Sequence, residues 1–329
     1  MSEHDPIMVP QEVKYPCGWI SWVSAVSGCL TALGRETDQV EVAGRSGYAF
    51  HSCIAPDLCP SGPTMLGWGL LAGSGVLLGR TVKSYMSGEC HTPEKRNERT
   101  AKHCREAFEF AKSEIDAGRP CVLWGANIPE FAIAVGHTDD CYIVKNCFGV
   151  MGRPEPPVKF DELNAPGGMF VLGFPQEVEG WCEADRYALA VALQMFRRET
   201  FSGHDRYGRA AYTFWADRLK SGTINYWSNS YNVVCTTEGR RFAAEFVKRV
   251  SLRNGKNGER LAAAVPHYEE CAGQMAKLAE LFPFNFIHEP ITDKEKIGAA
   301  CDALANAEVA EAAAFEVIRN AVLDWERKA

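Results

Sequence analysis

The chain carries thirteen cysteines and eight histidines among its 329 residues. Few of them stand where chemistry would start. Cys17 lies just ahead of an apolar stretch, Gly18 to Gly34, whose Ile20, Val23, Val26, Leu30 and Leu33 recur at helical spacing. A thiol at a helix N-terminus has its pKa lowered by the dipole and becomes a nucleophile. Ser21 lies one turn further on. Glu130 precedes the apolar run FAIAVGH. A carboxylate in such a setting needs a partner. It can serve as a general acid or base, or hold an amine or guanidinium of a ligand. Within the chain, Arg45 or Arg153 could instead pair with it.

Other groupings are weaker. His51, Cys53 and Cys59, with Cys90 and His91 as a second pair, have a metal-like look. A structural zinc site needs four ligands, usually in two close pairs. Scattered and odd in number, the cysteines read better as reduced, mostly buried thiols than as a disulfide framework. The Gly-x-Gly in GLLAGSGVLLG follows no clear strand and lacks the rest of the dinucleotide fingerprint. Gly44, Ser46 and Gly47 read as a turn. No metal and no cofactor is therefore expected.

The elements that must position these residues follow from pattern. A helix over 18–34 ends at Gly34. A charged amphipathic helix over 93–117 ends at Gly118. Strands are predicted at 121–125, 131–137, 141–149 and 169–174. Thr138–Asp139–Asp140 turns the second into the third as an antiparallel hairpin. Beyond Pro175 helical spacing dominates, at 182–199, 205–221, 238–253, 257–281 and 293–327. The expectation is an α+β domain over 1–176 and a helical domain over 177–329. Net charge is −7, with no Lys/Arg-rich run, so nucleic acid is not an expected partner. No stretch of about 18 uncharged apolar residues suggests a membrane span. The opening MSEHDPIMVPQEVKYP has no secretory pattern, and a cytoplasmic location is expected.

The stretch GRPCVLWGANIPEFAIAVGHTDDCYIVKNCFG (118–149) resembles the second half of papain-like cysteine peptidases. There, a strand beginning with the catalytic His ends in Val-Gly-Tyr, and the next strand ends in Ile-Lys-Asn-Ser-Trp-Gly. Val135–Gly136–His137 matches the first motif and Ile143 to Gly149 the second. CGWISWVSA (17–25) resembles the opening of that family's central helix. Most of the chain, with AGRSGYAF (43–50), is similar more specifically to the butirosin biosynthesis protein H family and its relatives, which join a peptidase-like domain to a helical one.

The resemblance implies a papain-like fold, a central helix packed on an antiparallel sheet, followed by an all-helical domain. It also implies sites. The nucleophile position falls on Ser21 if Ser21–Trp22 replaces Cys-Trp, and on Ile20 if the motif is aligned without a gap. Cys17 matches a structural cysteine and is the nearest thiol. Counting back from Gly136 puts Glu130 where the catalytic His would stand. His137 lies seven residues on, roughly 23 Å along the strand and on the opposite face by alternation, too far to replace it. Asn146 occupies the orienting position, where its amide could donate to a carboxylate. The constellation is Cys17 or Ser21, Glu130 and Asn146. The implied activity is acyl transfer or hydrolysis on an amide or thioester, on a small-molecule or peptide substrate, free or on a carrier protein. The competing readings are a non-catalytic frame binding a ligand in the same cleft, and an oligomeric partner in a biosynthetic complex, assembled through the C-terminal helices as a homo-oligomer.

Overall fold

A computed structural model describes residues 5–62, 66–179, 183–198 and 205–326. In chain order the first elements are β1 (Ile7–Met8), α1 (Ser21–Ala32), α2 (Gln39–Ser46), β2 (Cys53–Ile54), α3 (Trp68–Gly73), β3 (Lys83–Met86) and α4 (Glu98–Asp116). There follow β4 (Cys121–Trp124), β5 (Phe131–His137), β6 (Cys141–Lys145), α5 (Cys147–Val150), β7 (Val158–Lys159) and β8 (Phe170–Gly173). The rest comprises α6 (Ala184–Arg197), β9 (Arg206–Tyr207), α7 (Gly208–Lys220), α8 (Tyr226–Arg253), α9 (Gly255–Leu261), α10 (Val265–Leu281) and α11 (Lys294–Glu326). The predicted helix ends at 182, 199 and 327 lie outside the described residues. The class is α+β with an antiparallel sheet.

The chain forms two compact units, residues 1–42 with 68–180, and residues 43–67 with 181–329. The sequence reading places 43–67 with the first domain; here that segment is part of the helical unit. Its attachment depends on contacts far apart in sequence, described below.

In the first unit the sheet runs β3-β8-β4-β5-β6-β7, with β1 added against β5. All its pairings are antiparallel. β5 is buried along its whole length, which explains its continuous apolar run. α1 is buried from Ser21 to Leu30, so it needs no polar face. Gly28 lets it lie close: a Cβ there would collide with the Lys14 carbonyl oxygen and with Ile133 Cδ1 of β5. Gly34, at φ 79°, follows the helix end as predicted.

In this unit two boundaries differ most from expectation. α4 starts at Glu98, not Pro93, because Asn97 and Thr100 make a reciprocal capping box that fixes the first turn. The third predicted strand stops at Lys145, because Asn146 caps the one-turn helix α5. In addition, a bulge between Ala134 and Gly136 shifts the register of β5 against β6. The bulge interrupts alternation. Ile133 meets α1 at Gly28, whereas the His137 ring meets Phe108 of α4. Glu130 nevertheless meets α1 through Ser21 and His137 meets α4 through Phe108, so the two face different helices and lie at opposite ends of the strand, as expected.

The second unit is helical apart from the short antiparallel pair β2–β9. α8 begins at Tyr226, twelve residues before the predicted start. Its first half buries Asn229, Ser230 and Asn232, a polar content that masks the helical pattern in sequence. Segment 43–67 is held by Gly44, which has no room for a side chain against the Phe246 ring. It is held also by Arg240, whose guanidinium donates to the carbonyls of Ala49 (2.9 Å) and His51 (3.2 Å). Among the described residues no helix is long and apolar enough to cross a membrane.

Candidate functional site

The first unit brings two of the sequence-predicted residues into direct contact. Ser21 is the first residue of α1, and Glu130 immediately precedes β5. The Ser21 hydroxyl donates to Glu130 Oε2 across 109 residues of sequence. Ser21 Oγ also accepts the Phe131 backbone N–H at 3.2 Å. Ser21 retains 5% of its exposure, and Glu130 is half-buried. Ile20, at the N-cap, offers no side-chain hydrogen bond. The partial positive charge of the α1 N-terminus favours the neighbouring Glu130 carboxylate.

Cys17 stands elsewhere. It lies four residues before α1 and is exposed. Its carbonyl accepts from Gln39 Nε2 at 3.0 Å, and Gln39 also donates to Ser24 Oγ at 3.1 Å. Among the described residues no hydrogen bond joins the Cys17 thiol to Glu130.

Asn146 is buried, at 1% exposure, but its amide is committed differently from expectation. Oδ1 accepts the Phe148 N–H at 2.8 Å, and Nδ2 donates to the Ala126 carbonyl at 3.4 Å. Neither bond goes to Glu130. The expected Glu130–Asn146 pair is replaced by an indirect arrangement in which Asn146 ties the β6–α5 turn to the loop that carries Glu130. Glu155 completes it, accepting the Asn146 N–H at 2.7 Å and Lys145 Nζ at 2.9 Å. The two arginines considered as partners of Glu130 have other contacts: Arg45 pairs with Asp185 at 2.9 Å, and Arg153 lies over the Phe148 ring. His137 bonds Asp116 at 2.9 Å and the Thr138 carbonyl at 2.9 Å. Among the described residues no His, Cys, Asp and Glu cluster suited to a metal is present.

Sequence reasoning missed three contributors. Tyr15 bonds the backbone carbonyls of both Phe131 and Ser21. The Phe131 N–H is a main-chain donor that no side-chain pattern reveals. Cys147 follows Asn146 in the matched motif, so adjacency could have found it. Burial, then the Glu130 charge, push the Cys147 thiol up to about 11.

That coupling gives a prediction. Below its pKa, alkylation of Cys147 rises with pH as thiolate forms. Glu130→Gln removes the nearby negative charge, so the profile should move to lower pH. Peptide-resolved iodoacetamide labelling reads the shift directly. An unchanged profile would show that the carboxylate is not charged beside this thiol.

The site is thus a hydroxyl bonded to a carboxylate at the N-terminus of α1. Neither a protein-family model nor a curated protein matches the chain.

Proposed function

We propose that this chain is a papain-like-fold enzyme of acyl transfer, a hydrolase or acyltransferase of amides or thioesters. Ser21 serves as nucleophile and Glu130 as general base. The observation that carries the reading is the Ser21–Glu130 hydrogen bond at the start of α1. Ser21, one of the two positions that the family resemblance offers for the nucleophile, meets there the position that it gives to the base, although both residue types are substituted. The order of the chain supports it as well: α1 first, then the β5–β6 hairpin.

The chemistry is consistent. The hydroxyl donates and the carboxylate accepts, the direction in which the proton must move as the oxygen attacks a carbonyl. Attack forms the Ser21 Oγ–acyl bond and expels the amine or thiol, which takes the proton from Glu130. Water or an acceptor amine then takes the acyl group. The partial positive charge at the α1 N-terminus favours the negative charge that develops on the carbonyl oxygen. Asn146 and Glu155 keep the loops in place and do not orient the base directly.

A second reading has its own support. Ser21 Oγ is engaged on both sides, donating to Glu130 and accepting from Phe131. A hydroxyl so held suits a fixed strut in a ligand-binding frame. Incubation with p-nitrophenyl acetate and peptide mass spectrometry separates the two. The enzyme reading expects one acetyl group on Ser21, lost in Ser21→Ala. A protein that leaves Ser21 unmodified, while Glu130→Gln leaves the fold intact, would overturn it in favour of the frame.

A further inference from the structure

The lead-in to α1 is not a free tail. β1 pairs with Gly136 and His137, the Val9 N–H donates to the Val135 carbonyl at 2.9 Å, and Gln11 Nε2 donates to the Gly118 carbonyl at 3.0 Å. The segment thus starts against the far end of β5 and reaches its near end at Tyr15. There the half-buried phenol hydroxyl lies 3.1 Å from the Phe131 carbonyl and 3.3 Å from the Ser21 carbonyl.

We infer that Tyr15 is a positioning residue for the Ser21–Glu130 pair, its hydroxyl clamping the two backbone segments that carry them. Each accepting carbonyl belongs to a residue of the pair or to its immediate neighbour. Phe131 contributes twice, its carbonyl to Tyr15 and its N–H to Ser21 Oγ. One hydroxyl proton shared between two carbonyls restrains the start of α1 against the start of β5. Displacement of a reacting pair by about 1 Å can cost about 10²-fold in rate. A clamp at this point therefore has leverage that burial of the ring alone lacks. This role rests on the acyl-transfer reading only for its kinetic consequence; the clamp itself is a statement about geometry.

Tyr15→Phe removes the hydroxyl and keeps the ring. In the full chain, acetylation of Ser21 by p-nitrophenyl acetate should slow about tenfold. In the double variant with Glu130→Gln the two losses should not multiply, because the clamp acts through the base. Cys147 supplies a readout that does not depend on turnover. As Glu130 is released, the Cys147 alkylation profile should move part-way toward that of Glu130→Gln, with labelling faster than wild type at pH 9. If wild-type Ser21 is never acetylated but the Cys147 profile shifts in Tyr15→Phe, the functional reading fails and the clamp stands. A Cys147 profile identical to wild type, with only the unfolding midpoint changed, overturns the clamp and makes Tyr15 a packing residue.

Discussion

Glu130→Gln should lower the rate of Ser21 acylation by about 10²–10⁴-fold, the range that general base catalysis supplies. The substitution preserves the size and shape of the side chain. Its amide oxygen can still accept the Ser21 hydroxyl. It cannot take the proton at the pH of the reaction, so the loss should fall on kcat, with KM nearly unchanged. Ser21→Ala should abolish the covalent intermediate altogether. Ser21→Cys is the informative third variant, because a thiol ionises far more readily than a hydroxyl and depends less on the base. It should therefore retain acylation, with a smaller penalty when combined with Glu130→Gln. Steady-state and burst kinetics with an activated ester test all four proteins. If Glu130→Gln instead raises KM and leaves kcat alone, the carboxylate binds substrate and does not activate Ser21.

The second large effect lies in the helical unit. Arg240 of α8 is fully buried with Glu311 of α11, which keeps 1% exposure, and their charged groups approach to 3.0 Å. Tyr212 of α7 joins them, donating to Glu311 at 2.6 Å and accepting from Arg240 at 3.1 Å. Arg240 also donates to the carbonyls of Ala49 and His51 and to the Ser52 hydroxyl. Removing one member of such a pair leaves an uncompensated buried charge and typically costs about 3–5 kcal/mol. Against a total stability of about 5–15 kcal/mol, Arg240→Met should bring the unit close to unfolding. Urea denaturation would show a lower midpoint, and hydrogen exchange should rise first at 49–52, where the Ala49 and His51 carbonyls and the Ser52 hydroxyl lose their donor. Adding Glu311→Leu should restore only part of the loss, since those carbonyls stay unpaired. Full recovery would mean that Arg240 does not anchor the segment.

The same cluster makes stability depend on pH. Burial, then the charges of Arg240 and Arg198, push the His51 imidazole down to about 3. His51 is thus neutral in the folded protein, while an unfolded imidazole titrates near about 6.5. Between these values the unfolded state binds the extra proton. Stability should therefore fall as pH drops below about 6.5, by up to about 1.4 kcal/mol per pH unit, until pH nears 3. His51→Phe should flatten that slope by about one proton. An unchanged slope in urea titrations between pH 7 and 4 would assign the dependence to other groups.

Sequence alone determined the features that arise from local chemistry. The periodicity of Val23, Val26 and Leu30 with Gly34 specified α1, and Thr138–Asp139–Asp140 between two apolar runs specified the β5–β6 hairpin. The stop of α4 at Gly118 needed only a residue that accepts φ 75°. Glu130 stood out because a carboxylate at the head of the apolar run FAIAVGH requires a partner. What sequence left open was which partner. Cys17 and Ser21 lie within one turn of the same stretch, and only the start of α1 at Ser21 decided between them, through its hydrogen bond to Glu130. The other use of Asn146, the bulge that resets β5, the role of Tyr15 and the capture of residues 49–52 by Arg240 were decided by tertiary structure. Each joins groups distant along the chain, or turns on one polar bond or one extra residue. Those choices depend on what the fold places within about 3 Å, which hydrophobic periodicity does not encode.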